Sequence, residues 1–446
     1  KIAGKKAAPV IAALICLIIP LQMVSQTWDD HDRSGRYTCR DFGQNYLISL
    51  QEKGYPIIFT NGDNDTFPLW YNFETEGFRT DARCCNLSYL MTDWYIDQMK
   101  RPAYNSPALP ISFERIDYQT GTNDAVPIKL DAKQKLLSSN PKDVVDKSFE
   151  LHNVLDYWIK QHGVIPTDTI WLKIDKDAVL RSGMKIPDQY LGATDEETKA
   201  KMPDRMVISL KGKSRLYKNE IMMLDLIAHC NWERPLYMAT TVTSSSYMNL
   251  ENFFLLEGLA YRITPFEWGK FNSNPIDTDK MYANLMNYKF GGADNPDLYL
   301  DETVRRMCIS HRRLFTQLAS QLIDEGKNDK ALELLNKIDK GISSEALPQN
   351  DWYNVETANL YLMLGQVEKG GRMLTDIADN MMSTLCWYLS MNNRNLKLSQ
   401  AQFRETTKRM DTFVMPMLSY CLEDKTFESL QKDYKTICDQ FESRVK

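Results

Sequence analysis

The hydrophobic pattern of this chain changes partway along. Up to about residue 264, short apolar runs alternate with stretches whose apolar residues recur every three or four positions; beyond Asp301 only the helical spacing remains. Phe42, Tyr46, Leu47 and Leu50 mark a first helix. The run Tyr55–Thr60 predicts a strand, and the polar loop after it leads into a helix from about Thr66 to Glu76. A second strand is predicted at Ala82–Leu87 and a second helix at Met91–Met99. Strands alternating with helical patterns argue for a parallel sheet. Prolines break residues 101–215 into short pieces, with strands expected at Ile111–Tyr118, Thr169–Ile174 and Met206–Leu210 and a helix at Val144–Gln161. The alternation then resumes: helix Lys218–Cys230, strand Arg234–Thr241, helix Asn249–Leu256 and strand Ala260–Thr264.

Two further segments complete the pattern. Ala7–Val24 carries no charge and reaches the lower end of the roughly 17–25 residues that cross a bilayer. Lys1, Lys5 and Lys6 precede it, and Asp29, Asp30 and Asp32 follow it, which for a spanning helix orients its N-terminal side toward the cytoplasm; the alternative is a cleaved signal peptide with Lys5 and Lys6 as its basic region, although no obvious small-x-small cleavage site follows Leu21. In the C-terminal region, Ala319, Leu322, Gly326, Ala331, Leu335 and Ile338 recur at the same offsets as Ala358, Tyr361, Gly365, Gly370, Leu374 and Ile377. Small residues let paired helices approach and a glycine makes the turn, which resembles the tetratricopeptide repeat. Further helices are expected at Ser399–Leu422 and Thr426–Ser443. The predicted fold is therefore α/β, with a mostly parallel sheet built of Rossmann-like units, followed by an all-α helical-repeat (tetratricopeptide-like) domain, with one N-terminal transmembrane helix. The expected segments are 1–25, 26–300 and 301–446.

The composition is that of an ordinary globular protein, 43% hydrophobic and 25% charged. A formal net charge of −5, with no long basic run past the first six residues, argues against nucleic-acid binding. The nine cysteines form no C-x-x-C pair, so neither a zinc site nor a full disulfide framework is expected. The first residue is Lys1, which suggests processing or excision from a longer chain.

Candidate chemistry concentrates in a few places. Asp63-Asn64-Asp65 has the D-x-D form, in which carboxylates can hold a hard divalent cation. The same residues can instead cap the helix that follows, with Pro68 tolerated in its first turn. Asp30, His31, Asp32 and Arg33 place possible ligands in consecutive positions just past the apolar segment; a solvated membrane-surface segment is the plainer reading. Trp70, with Tyr71, Trp94 and Tyr95, can stack on a sugar face or pack as core. Glu257 and Arg262 flank Gly258 and either line the same cleft or pair internally. His152, His162, His229 and His311 show no partner spacing and carry no assigned role.

Four blocks bear a family resemblance: Trp28 through Tyr37, Phe59 through Tyr71, Thr92 through Gln98, and Asn231 through Tyr237 followed by Leu256 through Arg262. They resemble the C-terminal half of a bacterial multi-pass membrane family, a domain of unknown function, which is similar to protein O-mannosyltransferases that use a polyprenyl-phosphate sugar donor. The resemblance implies that Ala7–Val24 is the last helix of a membrane region otherwise absent from this chain. The bulk would be extracytoplasmic (periplasmic) on the inner membrane, and no catalytic residue carries over. The implied function is non-catalytic: binding or positioning an acceptor protein or glycan, with a possible protein partner at the helical repeats. The alternatives are a self-contained metal-dependent enzyme using Asp63 and Asp65, and a protein-interaction scaffold.

Overall fold

The computed structural model describes residues 7–130, 149–270, 275–348 and 352–445, apart from the side chains of residues 29, 30 and 352. It separates into two compact units: Arg40–Lys289, and Lys1–Cys39 with Phe290–Lys446.

The first helix of the chain, α1 (Ala8–His31), belongs to the second of these. Its stretch Ala8–Trp28 is long and apolar enough to cross a membrane, with a mean hydropathy of 2.2 and none of it buried. It extends past the predicted Val24 because nothing between Ser25 and His31 breaks a helix.

The Arg40–Lys289 unit contains most of α2 (Thr38–Ser49) and is built on a five-stranded sheet of order β2-β1-β7-β9-β8. The strands are β1 (Ile57–Thr60), β2 (Arg83–Asn86), β7 (Leu236–Ala239), β8 (Phe254–Leu256) and β9 (Ala260–Ile263). Every residue of β1, β2 and β7 is buried, the pattern of strands covered on both faces. β1 pairs parallel with both β2 and β7: Ile58 lies opposite Cys84 on one side and Tyr237 on the other. β7 then pairs antiparallel with β9, and β9 with β8. The sheet is thus mixed, not mostly parallel. One βαβ unit is evident, β1-α3-β2, with α3 spanning Asp63–Glu74. α2 and α3 come very close at Gly43, where a Cβ would sit 2.4 Å from the Pro68 carbonyl oxygen.

Two predicted elements are replaced. Ile111–Tyr118 is not a strand: the Ser112 N–H and hydroxyl donate to the Asp225 carboxylate, and Arg115–Tyr118 makes a helical turn whose first amides are held by a capping box of Glu114 and Asp117. Asn249–Leu256 is not an α-helix: it holds one 3-10 turn, Glu251–Phe253, followed by strand Phe254–Leu256. Met248 and Asn249 have left-handed backbone, φ +54° and +59°, which breaks a continuous α-helix at its start, and Phe254–Leu256 pairs with β9. The described part of Val144–Gln161 is helical from Leu151, with a π-helical stretch at Val154–Ile159; residues 144–148 lie outside the described residues.

Two small ribbons stand beside the sheet: β3 (Ala125–Pro127) with β6 (Arg215–Tyr217), and β4 (Thr169–Lys173) with β5 (Arg205–Ser209). The remaining helices of this unit that matter below are α4 (Asp93–Met99), α5 (Lys176–Arg181), α6 (Asp195–Lys201), α7 (Lys218–His229) and α8 (Thr278–Met286).

In the other unit, everything from Glu302 onward is helical or connecting loop among the described residues. α9 (Glu302–Asp324) pairs with α10 (Asn328–Gly341), and α11 (Trp352–Met363) with α12 (Val367–Ser390). Gly326 and Gly365, at φ +73° and +74°, make the two turns, a conformation that glycine adopts without steric cost. Ala319, Ala331, Ala358 and Gly370 are buried where the paired helices meet.

Candidate functional site

From β1 the chain crosses to β2 on one side, then returns to β7 on the other. The loops after β1 and β7 therefore leave neighbouring parallel strands at one edge and diverge. Such a switch point opens a crevice outside the carboxyl ends of the strands, where open α/β sheets place ligands.

Asp65 bridges the two loops at this edge. It is 3% exposed. Its Oδ1 accepts the Gly62 N–H at 3.1 Å and the Thr66 hydroxyl at 3.4 Å, while Oδ2 accepts the Asn61 N–H at 3.3 Å and the Thr241 hydroxyl at 2.8 Å. Tyr46 hydrogen-bonds to Thr241 from below at 3.0 Å, and burial holds its phenol well above the usual range. Asp65 thus works as an N-terminal helix cap and as a strut between the two loops. Asp63 and Asn64, two residues and one residue earlier, are exposed. The two carboxylates of the D-x-D element therefore lie in different environments. Among the described residues no group of three or more His, Cys, Asp or Glu is arranged to hold a metal ion.

Beside this edge runs a row of aromatic rings. Trp70, half-buried on α3, stacks on Tyr89 with centroids 5.9 Å apart and planes 13° from parallel. Phe67 lies 5.6 Å from Trp70, and Trp94, at the start of α4, lies 5.9 Å from Tyr89. Phe67 is 48% and Trp94 56% exposed. Tyr95, by contrast, is core: its hydroxyl accepts the Asn86 N–H. The row is held in register with the loop because the Ser88 hydroxyl, next to Tyr89, bonds both the carbonyl and the side-chain oxygen of Asn61.

Glu257 and Arg262 form an internal cluster. Both are fully buried, with Arg262 Nη1 4.0 Å from Glu257 Oε1. Glu257 Oε2 accepts the Tyr237 hydroxyl at 2.9 Å and pairs with Lys280 of α8. Arg262 donates to Gln51 Oε1 at 2.6 Å and to the Ser182 carbonyl at 3.2 Å. Burial pulls the Lys280 ammonium below its usual range against the pull of Glu257. These residues face one another and not an open cleft.

His31, Asp32 and Arg33 lie in the other unit and are exposed. His31 Nδ1 bonds the Thr27 carbonyl at 2.8 Å at the end of α1. The Ser34 hydroxyl and N–H, both donating to Asp32, hold its carboxyl below the usual range. The side chain of Asp30 is outside the described residues.

A second feature escaped the sequence. His152 and His229 sit edge to face, 5.0 Å apart. Each has its own carboxylate: Glu150 Oε1 at 3.0 Å from His152 Nδ1, and Asp225 Oδ1 at 3.1 Å from His229 Nδ1. Those hydrogen bonds raise both imidazole pKa values. Both pairs are local, Asp225–His229 at i, i+4 and Glu150–His152 at i, i+2; what depends on the fold is that His152 meets His229 of α7. His152 also borders an open cleft of about 960 Å³ beside the β4–β5 ribbon.

Residues 39–280 match the family model described as TMEM260-associated domain 2. The chain belongs to that family. The match ends before the helical tail, and it includes the switch-point edge, the aromatic row and the His152–His229 pair. No curated protein and no solved structure matches the chain.

Proposed function

We propose that this TMEM260-associated domain is the extracytoplasmic part of a membrane-tethered, protein O-mannosyltransferase-like protein, and that its switch-point edge binds or positions an acceptor glycan or glycosylated protein. The observation that carries the reading is the Phe67–Trp70–Tyr89–Trp94 row, whose outer rings are exposed beside a polar loop. Flat apolar rings match the apolar faces of sugars, while neighbouring amide and carboxylate groups such as Asn64 and Asp63 match hydroxyls. A buried-core role alone would not leave the terminal rings in water. The bond-satisfied state of Asp65 favours recognition over metal-assisted catalysis at this loop. The donor in this reading is a polyprenyl-phosphate sugar handled by membrane polypeptide outside this chain. The paired helices of the tail, with their matching glycine turns, fit a tetratricopeptide-like array that would dock a protein partner.

The test is calorimetric titration of the whole chain in detergent with neutral disaccharides and a mannosylated peptide, for wild type and Trp94→Ala. Saturable binding that weakens about tenfold in the variant, equivalent to roughly 1.4 kcal/mol, supports the reading. Binding of equal strength in both proteins, or none in either, rejects it.

A further inference from the structure

The cleft beside the β4–β5 ribbon carries four acids and four Lys or Arg side chains along its lining. Their numbers balance, but their positions do not. Glu150 is held by the His152 ring and N–H. Asp175 caps α5 through the Ala178 N–H at 3.0 Å and accepts Asn231 at 3.1 Å. Asp177 pairs with Lys199 at 2.9 Å, and Asp204 with Lys176 at 2.7 Å. Each acid therefore already has a partner.

Lys173 and Arg205 remain. They lie directly opposite each other in the antiparallel register and share the exposed face of the ribbon. Like charges at opposed positions repel; among the described residues neither has a carboxylate at ion-pair distance, and the exposed Asp204, paired with Lys176, acts on both only at longer range. Arg205 is also oriented: its guanidinium carbon stands 5.0 Å from the centre of the Trp171 ring, two residues from Lys173 on the same face. The ring contact holds the guanidinium near Trp171, and a guanidinium can grip a tetrahedral or planar anion through two parallel hydrogen bonds. Lys173 supplies a point charge alongside.

We infer that Arg205 and Lys173, set on Trp171 at the mouth of this cleft, form a binding site for a phosphoryl group. Two adjacent cations match a phosphate dianion better than a single carboxylate. The group can arrive on a soluble sugar phosphate or on a lipid headgroup, since the domain follows an apolar helix of membrane-crossing length. The site is separate in residues from the switch-point edge and does not depend on the glycan reading.

Calorimetry on the whole chain in neutral detergent, at low ionic strength, tests it with inorganic phosphate as the first probe. Wild type is expected to bind one phosphate; Arg205→Gln and Lys173→Gln each weaken binding tenfold or more, and the exposed Lys211→Gln control leaves it unchanged. An unchanged near-ultraviolet spectrum confirms that the variants are folded. Glucose 6-phosphate and the water-soluble dihexanoyl phosphatidic acid form the second arm. Tighter binding of one identifies its source, and equal binding of both assigns recognition to the phosphoryl group alone. Absence of phosphate binding in wild type, or equal loss in the Lys211→Gln control, overturns the inference.

Discussion

Replacing Asp65 by alanine removes the acceptor for two backbone amides and for the Thr241 hydroxyl, all within 3.3 Å. The amides of Asn61 and Gly62 and the Thr241 hydroxyl lie at a loop mouth where water can reach them, so the full penalty for buried unpaired donors does not apply. Loss of the helix cap costs about 1 kcal/mol. Loss of the strut to Thr241, a hydrogen bond to a charged group, costs about 1.5 kcal/mol more. The sum, roughly 2–3 kcal/mol, converts at about 2–4 °C per kcal/mol for a unit of this size into a fall in melting temperature of about 4–12 °C. Asp63→Ala, at an exposed position of the same turn, should stay within about 0.5 kcal/mol. The assay is a thermal melt of wild type and both variants in the same detergent, followed by circular dichroism, with added Mn²⁺ as a parallel arm. If Asp65→Ala melts with Asp63→Ala, or if Mn²⁺ raises the wild-type midpoint and neither variant's, Asp65 is a ligand-facing carboxylate and the capping argument fails.

Two more outcomes follow from buried charge. Glu257→Gln leaves Arg262 and Lys280 without their shared anion and should cost about 3 kcal/mol, read as a lower midpoint in urea; a neutral result would mean that water, not Glu257, compensates them. The His152 and His229 pairs make stability depend on pH. Both imidazoles have folded pKa values above the ordinary value near 6.5, so their contribution is complete below that value and is lost as pH rises through the raised values. Glu150 is held below its usual range by His152, against burial, so its share is lost only in acid. The melting temperature should therefore be higher near pH 6 than near pH 8.5, and the double variant His152→Gln, His229→Gln should flatten that slope; an unchanged slope would place the pH dependence elsewhere.

The parts of this fold that were legible from sequence are those governed by local pattern. The buried runs of β1, β2 and β7, the glycine turns at Gly326 and Gly365, and the membrane-length apolar helix each follow from a few adjacent residues. The two misread segments had apolar content but lacked the deciding partner. Ile111–Tyr118 is held by Asp225, more than a hundred positions away, and Asn249–Leu256 takes its conformation from β9 and from left-handed backbone at its start. The mixed character of the sheet was illegible for the same reason: strand direction depends on how the chain returns, and β8 and β9 return as a hairpin.

At the candidate site the division is similar. The sequence marked Asp63–Asp65, Trp70, Glu257 and Arg262 as unusual, because charge and aromatic character next to an apolar run are visible in one dimension. Only the fold decided their roles. It turned Asp65 inward to four donors and left Asp63 in water, set Trp70 against Tyr89 to extend an exposed row of rings, and buried Glu257 with Arg262 and Lys280. It also made neighbours of Glu150, His152, Asp225 and His229, and opposed Lys173 to Arg205. A side chain's intrinsic chemistry is set by its type, but its charge state and its partners depend on what other segments bring within a few ångströms, and for this chain those segments lie tens to hundreds of residues away.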